Sequence, residues 1–287
     1  MKKSKFAKLL LPIALPAVFF AIFNSSQKPL TAQSSVSVHL TMGNPSGAGT
    51  SNLNNYLLLN GGSSTRTYAL SYNCSKGIPN WVSWQLNSSW LGSTPRQDNF
   101  RADPNIPAGC YQVQATSYSG SGFDRGHMTP SADRTNSTTS NSSTFLMTNF
   151  IPQAPDNNQG IWSNLEDYCR TLVSQGKELY IISGGYGTGG TGSNGFKTTI
   201  DSGRISVPAR TWKTILVLDR PGSGVSGVTT STRVITVDIP NAQGVRTANW
   251  RNYRISVDTL ESITGYDFFS QISTSTQSVI EAKVDNL

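Results

Sequence analysis

The segments Phe123-Asp124-Arg125-Gly126-His127-Met128-Thr129-Pro130, Thr148-Asn149-Phe150-Ile151-Pro152-Gln153 and Asp156-Asn157-Asn158-Gln159-Gly160-Ile161-Trp162 decide how this chain is read. It has only two histidines in 287 residues, His39 and His127, so chemistry that needs an imidazole has little choice. His39 stands in a Ser-rich segment without acidic or basic company and reads as a plain strand residue. His127 shares four consecutive positions with an acid and a guanidinium. Gly126, between Arg125 and His127, permits a close backbone approach or unusual dihedrals.

The period then changes. Trp162, Leu165, Cys169, Leu172 and Val173 recur at helical spacing, and Gly176 stops the run. Glu166 and Arg170 are four apart and share a helix face. On a continuous helix Asn158 lies about 12 Å along the axis from Glu166, too far for both side chains to bind one ion directly. If both serve one ion, Asn158 is the direct ligand and Glu166 acts through a bound water. An amide oxygen is a hard, neutral donor. It suits Mg²⁺, which keeps several waters and takes charge compensation from substrate phosphates. Arg96, Arg125 and Arg170 supply guanidinium forks that match phosphate oxygens.

Outward from this stretch the pattern is mostly extended. Tyr68-Ala69-Leu70-Ser71-Tyr72 and Trp81-Val82-Ser83-Trp84-Gln85-Leu86 alternate with period two around a turn cluster and predict paired strands. Glu178–Ser183, Lys213–Leu218 and Arg233–Val237 predict further strands. Ser137–Ser143 reads as a loop and Thr144–Thr148 as a short strand. Tyr253–Ile263 begins extended and turns helical near Leu260. No repeat or interdomain linker interrupts the chain. The reading is one α+β domain over residues 37–287, with an antiparallel sheet core and a few helices.

Hydrophobic residues at 36% and charged residues at 14% exclude a disordered chain. The 26 Gly and 14 Pro show no period, which excludes collagen, and three Cys exclude a dense disulfide scaffold. The N-terminus runs Met1-Lys2-Lys3-Ser4-Lys5-Phe6-Ala7-Lys8 and is then apolar from Leu9 to Phe23, the layout of a signal peptide over residues 1–32. The run is short of the ~20 residues a span needs and holds Pro12 and Pro16, so no stable membrane association is expected after cleavage. Cleavage after Ala32 removes five lysines and no acid, lowering the formal charge from +7 to +2. Net charge therefore does not argue for nucleic acid; a local patch must. The expected location is secreted or periplasmic. Export permits a disulfide, for which Cys74 with Cys110 is the pair to test. Cys169 reads as a buried small hydrophobe within the helical pattern.

Asp124-Arg125-Gly126-His127, with Asn149-Phe150-Ile151-Pro152-Gln153, Asn158-Gln159-Gly160-Ile161-Trp162 and Glu166, resembles the DNA/RNA non-specific endonuclease family. Within it the chain most resembles the secreted cyanobacterial type of sugar-non-specific nuclease. Tyr68–Leu86, Pro208–Lys213 and Thr264–Phe269 extend the likeness over nearly the whole mature chain. The resemblance implies a ββα-metal finger and hydrolysis of single- and double-stranded DNA and RNA to 5′-phosphate ends. It implies His127 as general base, Asn158 as protein ligand of Mg²⁺ (Mn²⁺ or another divalent ion substituting), and Glu166 as the residue that orients the ion's waters. It implies Arg96 as the transition-state arginine, with Arg101 nearby in sequence. Arg125 and Arg170 support phosphate and carboxylate, Asn149 shapes the site, and Asp124 is structural. A proteinaceous inhibitor of acidic character is a further implied partner.

Two other readings compete. A binding module of the same fold would hold nucleic acid without cutting it, but phosphate binding does not require a neutral base. A small-molecule phosphodiesterase would not need a track of arginines.

Overall fold

The computed structural model describes residues 37–60 and 66–287, together with Met1. The segment read as a signal peptide, Met1 aside, lies outside the described residues. Among the described residues no helix is long and apolar enough to cross a membrane.

The strands are β1 (Tyr56–Asn60), β2 (Tyr68–Asn73), β3 (Ile78–Leu86), β4 (Asp124–His127), β5 (Phe150–Gln153), β6 (Glu178–Tyr186), β7 (Arg210–Leu218), β8 (Arg233–Pro240) and β9 (Arg254–Ile255). Of these β2, β3, β6, β7 and β8 are the predicted ones, each longer in the structure than its sequence pattern. Seven of them form one antiparallel sheet in the order β1-β2-β3-β6-β7-β8-β9. Two small hairpins, Gly190–Gly192 with Gly195–Lys197 and Thr199–Ile200 with Ile205–Ser206, decorate it. The helices are α1 (Thr138–Ser143), α2 (Ser163–Ser174), α3 (Val257–Thr264) and α4 (Thr274–Ile280).

Side chains on a strand alternate between faces, and here both faces are covered. Leu179 and Ile181 of β6, with Ile215 and Val217 of β7, join the core that contains Leu165, Cys169, Leu172 and Val173 of α2. Tyr180 and Ile182, with Trp212, Leu216 and Leu218, join a second core closed by Val257, Leu260, Phe268, Phe269 and Ile280. The central strands therefore read as continuous apolar runs rather than half-polar ones.

The hairpin β4–β5 stands apart from the large sheet and leads through Asn157–Trp162 into α2. This is the ββα finger. Cys74 and Cys110 form a disulfide with Cα atoms 5.1 Å apart, tying the end of β2 to the long loop that precedes β4. Cys169 is free and buried.

Three local readings are corrected. Ser137–Ser143 is not loop: Ser137 Oγ accepts from Ser140 N at 3.1 Å, a helix N-cap that outweighs the weak propensity of the residues after it. Thr144–Thr148 is not strand but a turn, joined to the preceding loop by one isolated bridge, Arg101 to Leu146. His39 is not on a strand. It lies in a 3-10 turn, buried, with Nε2 2.7 Å from Arg66 O and Nδ1 accepting from Gln85 N at 3.1 Å.

Candidate active site

In the finger, Asp124 pairs with Gln153, Arg125 with Pro152, Gly126 with Ile151 and His127 with Phe150. A β-carbon on Gly126 would collide with the side chain of Gln153, so packing requires glycine here. With no side chain at 126, Gln153 packs directly against the motif.

His127 projects into an aromatic enclosure. Its ring lies 4.3 Å from Phe150, 5.2 Å edge-on from Phe145 and 6.2 Å from Phe100, between centroids. Its Nε2 is shielded from solvent and has no hydrogen-bond partner among the described residues. Burial first, then the positive charges of Arg96 and Arg125, push the imidazole down to about 3. The ring is therefore neutral at pH 7 and has a lone pair to offer.

The arginines are fixed by different means. Arg125 lies over the Phe100 ring with its guanidinium carbon 4.0 Å from the centroid. Arg96, half exposed, donates from Nε to Asp98 Oδ1 at 2.6 Å and from Nη1 to Ser131 Oγ at 2.9 Å, and lies 4.9 Å over Phe145. Arg101 points its Nη1 to the carbonyls of Asn99 and Ser142 at 3.1 and 2.9 Å. Asn149 is buried. Its Nδ2 donates to Thr129 O and Thr144 O, both at 2.9 Å, and its Oδ1 accepts from Thr129 N at 3.0 Å. Its amide is spent on the backbone of Thr129 and Thr144, a framework role.

Asn158 and Glu166 are not on one continuous helix. Asn157–Trp162 forms a wide turn, broken at Gly160, where φ is −124° and ψ −105°. A β-carbon on Gly160 would overlap the backbone of Arg246, which packs there. The axial spacing expected from sequence therefore does not apply. Asn158 Nδ2 donates to Asp124 Oδ2 at 2.9 Å, and Gln159 Nε2 to the same oxygen at 2.8 Å. A carboxylate can only accept, so it fixes the amide's orientation and leaves Asn158 Oδ1 free for a cation.

Glu166 is 13% exposed. Burial pushes its carboxyl up to about 7 against the opposing pull of Lys213. Sequence spacing pairs it with Arg170, but Arg170 turns to Asp133 at 2.8 Å and Asp167 at 2.5 Å. The partner of Glu166 is Lys213 of β7, whose Nζ is 3.6 Å from Oε1. Sequence reasoning missed Lys213, Asp133 and the three phenylalanines. The one available signal was a lysine opening an apolar strand. A neutral amide oxygen on Asn158 and a carboxylate on Glu166 are donors of the kind that suits a hard divalent cation that keeps its waters. The one cluster of three carboxylates among the described residues, Asp258, Glu261 and Glu281, belongs to α3 and the end of α4.

The hairpin, the helix and the shielded neutral imidazole define a ββα nuclease. The chain belongs to the DNA/RNA non-specific endonuclease family, which it matches over residues 13–275. It is 56% identical over 265 residues to a nuclease of Nostoc sp. (strain PCC 7120), covering 91% of this chain and 92% of that one. It is 30% identical over 223 residues to the mitochondrial nuclease EXOG of Mus musculus, covering 75% of this chain and 59% of that protein's length. The fold is shared with the solved structure described as "Crystal structure of the EndoG/EndoGI complex: Mechanism of EndoG inhibition". There the TM-score is 0.66 at 22% identity, covering 86% of this chain and 96% of the other.

Proposed function

We propose that this chain is an exported, Mg²⁺-dependent endonuclease that hydrolyses phosphodiester bonds within DNA and RNA and leaves 5′-phosphate ends. The observation that carries the reading is the His127 imidazole, ringed by Phe100, Phe145 and Phe150 and kept neutral by burial and by the charges of Arg96 and Arg125. A group that merely bound phosphate would gain from being charged; a base must be neutral.

The neutral imidazole of His127 takes a proton from water as the water oxygen bonds to phosphorus; the bond to the 3′ oxygen breaks, that oxygen leaves as a hydroxyl with a proton from solvent, and the phosphate stays on the 5′ side. Arg96 and Arg125, already near the imidazole, meet the charge on the phosphoryl oxygens. Asn158 Oδ1 would hold the divalent ion and Glu166 would accept hydrogen bonds from its waters. When bound, the ion supplies charge compensation at the scissile phosphate and the departing oxygen. Arg170 braces the finger through Asp133, and Asn149 fixes the backbone behind the base. Mn²⁺ or another divalent ion would serve in place of Mg²⁺.

Contacts to phosphate rather than to base edges explain indifference to sugar and sequence. Residues 1–32 act as the export signal, the mature domain being 37–287, and the product is secreted or periplasmic. The related fold is known in a complex described as one of EndoG inhibition, and an acidic inhibitor protein is a fitting partner for the arginines here. The test is end-group analysis of DNA and RNA fragments made with Mg²⁺ and with excess chelator. Fragments that a kinase labels only after phosphatase treatment, formed only with metal, support the reading. Free 5′-hydroxyl ends, or cutting that ignores chelator, would refute it.

A further inference from the structure

Lys213 sits in the middle strands of the large sheet and is 1% exposed. Lysine is almost never fully buried unless paired. Its strand neighbours are Ser183 and Val237, neither charged. Its Nζ lies 4.2 Å from the Trp162 ring centroid and 5.6 Å from that of Trp84. Trp84 is itself pinned by its Nε1, which donates to Asp133 Oδ2 at 3.0 Å. Among the described residues the ammonium makes one ion pair, with Glu166 Oε1 at 3.6 Å.

That distance is beyond a hydrogen bond, and no other hydrogen bond reaches the Glu166 carboxylate among the described residues. The carboxylate is thus compensated in charge while its lone pairs stay free. Arg170, with its fork, would have occupied those lone pairs, and it is drawn off by Asp133 and Asp167. Packing alone does not call for an ammonium here. Replacing a buried ion pair with apolar groups of similar volume is often neutral or stabilising, and this face of β7 already carries Ile215 and Val217.

We propose that Lys213 is a positioning residue for the reaction: held by two indole faces, it fixes the Glu166 carboxylate in place and leaves its oxygens open to the waters of the divalent ion. The inference rests on the reading of Glu166 given above. Lys213 touches neither substrate nor ion and acts only through Glu166.

The test is a double-variant cycle on the full mature chain, with Mn²⁺ binding followed by the electron paramagnetic resonance of free Mn²⁺ and thermal melting alongside. The variants are Lys213→Met, Glu166→Gln and the two together. Lys213→Met should weaken Mn²⁺ binding ~10-fold or more, as loss of a residue behind a metal site does. In the Glu166→Gln background the same change should have less than about a twofold further effect, since coupled groups are not additive. Lys213→Arg should recover part of the loss. Binding within about twofold of wild type for Lys213→Met, or losses that multiply in the double variant, would overturn the proposal. Should Lys213→Met not fold, Lys213→Gln and the doubly neutral variant give the same comparison. Wild type that neither binds Mn²⁺ nor cuts polymer would defeat the underlying function. Wild type that cuts, beside an unaffected Lys213→Met, would defeat this inference alone.

Discussion

Asn158 donates its amide to Asp124 Oδ2 at 2.9 Å, so the acid that opens the Asp124–His127 motif sets which way the amide of the following turn faces. Gln159 donates to the same oxygen at 2.8 Å and steadies it. Asp124→Ala frees the amide to rotate. It should raise the Mg²⁺ concentration needed for half-maximal cleavage by roughly 10- to 100-fold, with activity partly regained at high metal. A Mg²⁺ titration of plasmid nicking measures this. An unchanged midpoint would show that the contact does not orient the ligand.

The two titrating groups of the site should separate by pH. The His127 imidazole is pushed down to about 3 and stays neutral through the useful range, whereas the Glu166 carboxyl is pushed up to about 7. In metal-free protein the His127 Cε1 proton resonance should therefore stay flat between pH 5 and 8. The Glu166 side-chain carboxyl carbon should titrate near neutrality. An acid limb of activity near pH 7 then belongs to Glu166. A histidine resonance that titrates near its ordinary value of 6.5 would contradict this.

Stability should respond to pH with two opposed slopes. His39 and His127 are lowered to about 3, so the unfolded chain binds more protons than the folded one below 6.5, and stability falls as pH drops toward 3. Glu166 and Glu281 are raised from 4.5 to about 7, so their contribution is full below 4.5 and is lost as pH rises through 7. The two effects oppose each other between 4.5 and 6.5. Below 4.5 only the histidine slope persists, up to about 1.4 kcal/mol per pH unit for each ring. Lowered Asp156, Asp201 and Asp285 add to it at the acid end. Urea unfolding at pH 6, 5 and 4 should show little change and then a steep fall, shallower in His39→Gln. A uniform fall from pH 6.5 downward would show that the glutamates are not raised.

Cys74 and Cys110 are 36 positions apart. On the chain-entropy account, closing a loop of that size stabilises by about 4 kcal/mol. The Cys74→Ser, Cys110→Ser chain should lose that order of stability in urea unfolding. It should lose cleavage only in proportion to the unfolded fraction, because neither residue lies against His127. Loss of activity in fully folded protein would place the loop from Arg96 to Cys110 under direct control of the disulfide.

Much of this architecture was legible in the chain because it rests on local rules. The helical run from Trp162 to Val173 follows from burial of one stripe, whereas the runs around Tyr68–Leu86 were legible as strands from their alternation and bounding turn although both faces are buried. What stayed hidden depends on side chains meeting across long separations. Lys213 finds Glu166 across the packing of a strand on a helix, and Asp133 captures Arg170 although Glu166 is the helical neighbour. The Phe100, Phe145 and Phe150 enclosure joins three separate segments. Hydroxyl-rich Thr138–Ser143 was misread because a cap, not propensity, makes it helical. The break at Gly160 answers to the Arg246 backbone, which no spacing near Asn158 reveals.

Under the proposed function His127 acts as a base on phosphodiester bonds within polymers. Its most direct test is gel digestion of supercoiled plasmid and ribosomal RNA by the mature chain, with Mg²⁺, with excess chelator, and with His127→Ala checked for an unchanged circular dichroism spectrum. Wild type with metal should cut both polymers internally, and the variant should cut at least ~100-fold more slowly, as expected for loss of a general base. Undiminished cutting by folded His127→Ala, or none by folded wild type with any divalent ion tried, would contradict it.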